Sequence, residues 1–177
     1  MASGPYDWQS IVRTHGPMAF ATAWRLLGHP ADTEDAVQEA LLEAFQLQKR
    51  QTVANWGGLL RHLASQRAID RLRKRRWITP LSASTPQVEP ASPVSQQPEA
   101  LAIQQELEEA LCAAIAELPG RQSSVFSLFY FGEMGNSEIA ETLNITTDAV
   151  AVALYKARKR LKERLNLQEV AFRRSKP

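Results

Sequence analysis

At 177 residues, 44% hydrophobic and 23% charged, the chain is long enough for one domain or two small ones, and its net charge of +2 conceals a strong local asymmetry. A lone cysteine, Cys112, excludes an intramolecular disulfide; no run approaches the ~20 apolar residues of a membrane span, and MASGPYDWQS has neither the basic start nor the apolar run of a secretory signal. His15, His29 and His62 lack ligand-like spacing, and no phosphate-binding glycine loop, nucleophile elbow or converging acid pair is present. These features argue against a metal site, a cofactor, a small-molecule substrate or an enzyme, and for a soluble cytoplasmic protein that works by binding.

The predicted elements are helical throughout, because apolar residues recur every three to four positions without the sustained alternation a strand needs. Tyr6 to Arg13 and Pro17 to Leu27 read as two helical stretches, the second stopped by Gly28 and Pro30. ADTEDAVQEALLEAF then starts a helix with Asp32 as its cap and Glu34 and Asp35 in the positive first turn. Val37, Leu41, Ala44 and Phe45 share its core face, while Asp35, Gln38, Glu39, Leu42 and Gln46 lie opposite. Leu42 is thus an apolar side chain ringed by acids and amides, a pattern that suits docking of a basic, partly apolar partner helix.

After QLQKRQTVAN a long helix runs from about Trp56 to Arg76, with Trp56, Leu59, Leu60 and Leu63 turned inward. Arg61, Arg67, Arg71, Arg73, Lys74, Arg75 and Arg76 face only Asp70 within this segment. Asp70 pairs with Arg73 at i, i+3, but the other charges cannot be neutralised along the helix, so the block points to a polyanion. Trp77 can stack on a base or seal the bundle. Pro80, Pro86, Pro90, Pro93 and Pro98 then mark residues 78–100 as a linker between a unit at 5–77 and another at 101–170.

The second unit opens with an amphipathic helix, Leu101 to Glu117, in which Cys112 reads as a small buried thiol, ended by Leu118, Pro119 and Gly120. RQSSVFSLFYFGEM gives a helix with Val125, Phe126, Leu128 and Phe129 inside and Arg121 and Gln122 at its start, where free N–H groups suit a phosphate. NSEIAETL follows as a short helix whose start Met134 and Ile139 clip together. Asn144 and Ile145 turn the chain, and Thr146 caps a last helix with Val150, Leu154, Ala157 and Leu161 as its buried stripe. That helix carries Lys156, Arg158, Lys159, Arg160, Lys162 and Arg164 against Glu163, so the pair reads as a helix-turn-helix. Its early positions Ala151, Val152 and Ala153 offer no hydrogen-bond donor. The fold class is all-α: two small helical bundles on a proline-rich tether.

RLLGHPADTEDAVQEALLEAF, LLRHLASQRAIDRLRKRR and LPGRQSSVFSLFYFGEMGNSEIAETLNITTDAVAVALYKARKRL, in this order around the tether, resemble regions 2.1–2.2, 2.4 and 4.1–4.2 of bacterial RNA polymerase sigma factors of the extracytoplasmic-function (ECF) type. The resemblance implies that Asp35, Gln38, Glu39 and Leu42 dock on the beta-prime clamp of core RNA polymerase. It implies that Lys49, Arg50, Gln66, Arg67, Asp70, Arg73 and Lys74 hold the non-template strand of the minus-10 element, which shifts the duplex toward melting. The linker then threads the RNA exit path, and the second unit, near the beta flap, meets the minus-35 element through Arg121, Thr146, Thr147, Ala151, Val152, Tyr155, Lys156, Arg158 and Lys159. An anti-sigma factor is a further implied partner, beside promoter DNA. The chain departs from the family pattern at Gln66, where the family places Asn, at Gly135, where it places Ser, and at residues 151–153, where it places Lys-Ser-Arg. The last departure leads us to expect thymine-methyl and phosphate contacts with weak guanine readout. A stand-alone helix-turn-helix regulator and a sigma-like decoy are the alternatives.

Overall fold

The computed structural model describes residues 7–78 and 98–174. Among them are the helices α1 Trp8–Leu27, α2 Pro30–Leu47, α3 Trp56–Ile78, α4 Pro98–Ala116, α5 Gly120–Tyr130, α6 Asn136–Leu143 and α7 Thr147–Arg174, and no strand. The all-α class expected from periodicity is the class found.

In the first unit, α1 is one helix, not the two stretches expected on either side of Pro17. The Asp7 carboxylate caps it by accepting from Gln9 N at 3.2 Å. A proline inside a helix forfeits one backbone hydrogen bond, and the buried stripe of Ile11, Ala19, Ala23 and Leu26 carries the helix across that loss. Its end is as expected: Gly28 adopts φ 60°, a left-handed conformation that costs glycine little, and donates to the Trp24 carbonyl at 2.8 Å.

Two expectations for α2 need correction. The helix begins at Pro30, where the missing N–H loses nothing, so Asp32 sits inside the first turn and is not the cap. Its carboxylate instead pairs with Arg75 of α3. The core face is made of Thr33, Ala36, Val37, Ala40 and Ala44; Leu41 is only half-buried, and Phe45 remains 36% exposed. Small alanines let α2 approach its neighbours closely, which turns Phe45 out to the rim against Trp8 at 5.2 Å, with the Lys49 ammonium 4.6 Å above its ring.

α3 runs through the middle of the molecule. Asn55 holds its start by accepting from Gly58 N at 2.8 Å, and Trp56, Leu60, Leu63, Ala64, Ala68 and Ile69 are buried against α1 and α2. The side chain of Trp77 lies outside the described residues, as do residues 79–97 of the expected linker. Positions 98–100, expected to belong to that linker, are already helical in α4.

The second unit closes around Ile115, Val125, Leu128, Met134, Ile139, Val150 and Leu161, all buried. Met134 and Ile139 do bracket the start of α6, and the Glu138 carboxylate accepts from Gly135 N at 3.1 Å, the half of a capping box that needs no side chain on the cap residue. Asn144 turns the chain at φ 51°, and Thr146 accepts from Ala149 N at 3.1 Å at the head of α7, as the sequence suggested. Cys112 is half-buried rather than buried. Burial, with Glu108 and Glu109 nearby, pushes its thiol up to about 11. The units touch: α3 packs on α4, α5 and α6.

Candidate polymerase and nucleic-acid interfaces

Asp35, Gln38, Glu39 and Leu42 are all exposed on α2, Leu42 by 64%. The face is not uniform. On its α3 side, Glu39 accepts from Arg71 at 2.6 Å, Asp35 stands 3.7 Å from the same guanidinium, and Glu43 accepts from Arg67 at 2.6 Å. With Asp32–Arg75 these pairs form a ladder along two packed helices. The Glu43 hydrogen bond raises Arg67 above the ordinary arginine range, with the Glu39 and Asp70 charges assisting and burial opposing.

This ladder corrects the expectation that the basic block is left unneutralised. Counting charges along one helix misses the acids of the next. Acids at 32, 35, 39 and 43 recur at the same three-to-four-residue interval as Arg67, Arg71 and Arg75, but only the packing of α2 beside α3 brings them into register. Glu43 and Asp32 are the members that sequence reasoning passed over.

The residues expected at the minus-10 strand fall into two groups. Lys49 and Arg50 are exposed in the turn that leads into α3. Gln66, Arg67, Asp70, Arg73 and Lys74 lie ten to eighteen residues further on from Trp56, about 15–27 Å along the helix at 1.5 Å per residue. Gln66 and Lys74 are exposed, whereas Arg73 is half-buried. Gln66, Arg67, Asp70 and Arg73 share with His62 and Arg121 a cavity of about 370 Å³ between α3 and α5. Burial pulls the His62 imidazole below its ordinary 6.5, against the raising pull of Glu43.

On α7, Val150, Ala153, Leu154, Ala157 and Leu161 face the core. Ala153 therefore does not belong to an outward patch with Ala151 and Val152. Thr146, Thr147, Ala151, Val152, Tyr155, Lys156, Arg158 and Lys159 are exposed, as is Arg121 on α5. Arg158 is held in place: its Nε donates to the Tyr130 hydroxyl at 2.8 Å, and its guanidinium lies 5.5 and 5.4 Å from the Phe129 and Tyr130 ring centroids. Tyr130 was missed from sequence because only the packing of α5 on α7 brings it to Arg158.

Two family descriptions match the chain in the order of these units: sigma-70 region 2 over residues 11–78, and sigma-70 region 4 over residues 108–161. The ECF RNA polymerase sigma factor SigW of Bacillus subtilis is similar at 27% identity over 88% of this chain and 87% of its own length. The chain belongs to the ECF sigma factors. As a sigma factor it directs promoter-specific transcription initiation. The ECF sigma factor SigE of Mycolicibacterium smegmatis is 24% identical over 90% of this sigma factor and 62% of its own length. Two solved structures share the fold. The sigma factor RpoE in complex with the anti-sigma factor NepR from Bartonella quintana matches with a TM-score of 0.54 at 19% identity, over 90% of this chain and 97% of that one. CnrH in complex with the cytosolic domain of CnrY matches with a TM-score of 0.55 at 18% identity, over 90% and 88%. In this sigma factor the region 2 match contains the α2–α3 ladder, and the region 4 match contains Tyr130 and Arg158.

Proposed function

We propose that this sigma factor is a dissociable, non-enzymatic, cytoplasmic subunit that docks on core RNA polymerase through α2 and carries it to promoter DNA. The observation that carries this reading is the α2 face: Leu42, 64% exposed and flanked by Asp35, Gln38 and Glu39, matches a basic helix with an apolar centre. In this reading the face meets the beta-prime clamp, and the second unit lies at the beta flap. The domain limits are 5–77 for docking and minus-10 capture, 78–100 for the linker, and 101–170 for the minus-35 contact.

Lys49, Arg50, Gln66, Arg67, Asp70, Arg73 and Lys74 take the opened non-template strand; Thr146, Thr147, Ala151, Val152 and Tyr155 enter the major groove, while Arg121, Lys156, Arg158 and Lys159 grip phosphates. Val152 and Ala151 are suited to thymine methyls and cannot donate to guanine. One solved neighbour is the sigma factor RpoE in complex with the anti-sigma factor NepR. We propose that an anti-sigma factor also binds this one.

Leu42→Asp places a charge in the centre of the docking face without touching the core. It is expected to weaken capture of core polymerase at least about tenfold, the equivalent of ~1.4 kcal/mol, with unchanged helicity and melting temperature. Core binding that survives this change, or promoter-library transcription indifferent to the added protein, sinks the proposal. Footprinting of duplex DNA by the protein alone would favour a stand-alone regulator.

A further inference from the structure

Of the large apolar side chains that stand exposed among the described residues, five already have a place: Leu42 on the docking face, Phe45 under Lys49, Tyr130 beside Arg158, and Val152 and Tyr155 on the helix-turn-helix. The other five fall on two helices only. Met18, Phe20 and Trp24 stand on α1, and Ile103 and Leu107 on α4, the last two 66% and 59% exposed. On α1, Arg13, Pro17, Phe20 and Trp24 recur at the i, i+4, i+7, i+11 spacing of one helical stripe, and all four are exposed. The Phe20 and Trp24 rings lie stacked, 6.2 Å apart at 13°, which gives a broad apolar surface at little cost in side-chain freedom. On α4, Ile103, Leu107 and Ala110 follow the same i, i+4, i+7 spacing, and every residue from 103 to 109 is exposed. Pro17 to Trp24 and Ile103 to Ala110 are stretches of equal length, each about 10 Å at 1.5 Å per residue.

The two stripes carry opposite charge. α1 contains Arg13, His15 and Arg25 and no acid, whereas α4 contains Glu99, Glu106, Glu108 and Glu109 and no base. Arg25 is held by Glu133 at 2.5 Å, and Glu108 accepts from Gln104 along its own helix at 2.9 Å. That leaves Arg13 at the head of the aromatic stripe, and Glu106 and Glu109 along one edge of the Ile103–Leu107 stripe. The acids of α2 differ in this respect, because α3 arginines already match them. An apolar surface edged by one charge is completed by one edged by the other: contact takes the rings out of water, and the charges fix the orientation.

We propose that the α1 stripe of one copy docks on the α4 stripe of a second copy, so that the free sigma factor self-associates. Two copies related by a two-fold axis make this contact twice, which closes the assembly as a dimer. Phe20 and Trp24 fill the centre of each contact against Ile103 and Leu107, and Arg13 meets Glu106 and Glu109 at its rim. Each stripe is short, so the association is of the weak, transient class. Leu42 and the exposed face of α7 take no part in it, and the proposal does not rest on the roles given to them above.

The test is sedimentation equilibrium of the full-length chain without polymerase, over roughly 1 to 100 μM. The apparent mass of the parent should rise with concentration from 19.8 kDa toward twice that value. Trp24→Asp puts a carboxylate in the centre of the contact and should weaken association about tenfold or more, with an unchanged melting temperature. Arg13→Glu in one chain, and Glu106→Arg with Glu109→Arg in another, should each weaken it several-fold by setting like charges together. An equimolar mixture of these two chains should associate as tightly as the parent, because every α1–α4 contact between them again joins opposite charges. A parent that stays monomeric throughout overturns the proposal, as does association that survives Trp24→Asp. A mixture no tighter than its two components also overturns it, since α1 would then be pairing with something other than α4.

Discussion

At Tyr130 a hydroxyl and a ring do different jobs for one arginine. The Nε–H of Arg158 is fixed by the hydroxyl, and the side chain stays exposed. Tyr130→Phe keeps the ring contact and releases the hydrogen bond. Minus-35-dependent complex formation is expected to fall several-fold, in line with the ~0.5–1.5 kcal/mol net contribution of a typical hydrogen bond, and only when Arg158 is present. Equal losses from Tyr130→Phe in the parent and in an Arg158→Ala chain, measured as a double-mutant cycle, would mean that Tyr130 acts without Arg158. His62 gives a second residue-scale prediction. Burial lowers its folded-state pKa below 6.5, so the folded chain binds the proton less readily than the unfolded one. The associated stability is present above 6.5 and is lost as pH falls through that value toward the folded-state pKa. Glu43 opposes that shift, and Arg67, Asp70, Arg73 and Arg121 line the same cavity as His62. Thermal melts of His62→Gln should lose this acid-side component; an unchanged pH profile would assign it to another group.

Helix by helix, the pattern of apolar residues was a good guide to which elements exist and a poorer guide to how they are rotated. The starts of α6 and α7 came through intact because their signals are local: Glu138 reaches back three residues, and Thr146 reaches forward three. α2 did not, because its core face is alanine-rich and packing against α1 and α3, rather than side-chain size, decides which residues turn inward. The buried Ala153 is the same lesson on α7. Its neighbour Val152 is 52% exposed at the face we assign to the major groove. Val152→Arg introduces a fork able to pair with guanine N7 and O6, and a bidentate contact of this kind discriminates by ~1–3 kcal/mol. The variant is therefore expected to gain preference for a guanine within the minus-35 element in a binding selection on randomised sites. An unaltered preference would move the groove-facing surface elsewhere on the helix.

Across the whole molecule, two helical units pack on each other through α3, and we have proposed a separate promoter task for each. Residues 79–97 join them, about 20 peptide links between Ile78 and Pro98 and so at most ~70 Å of extended chain. Deleting ten of these residues cuts that reach by roughly half. Core-polymerase binding is expected to survive, while transcription from a promoter that needs both elements is lost. Full transcription from such a promoter with the shortened tether would show that the reach is not limiting.

Composition, helical periodicity and the order of the three motifs were enough, from sequence alone, to establish an all-α chain of the ECF sigma type and to mark where the helix-turn-helix begins and turns. These properties rest on interactions between residues a few positions apart, which a linear reading contains. The tertiary structure alone decided that Arg67, Arg71 and Arg75 are matched by α2 carboxylates, that Tyr130 holds Arg158, and that Arg25, Arg61 and Arg73 bind the second unit. A basic side chain states its charge in the sequence. Its partner is set by which helix packs beside it, and that choice is made by the close approach of small residues such as Ala40, Ala44 and Gly58 far from it in the chain.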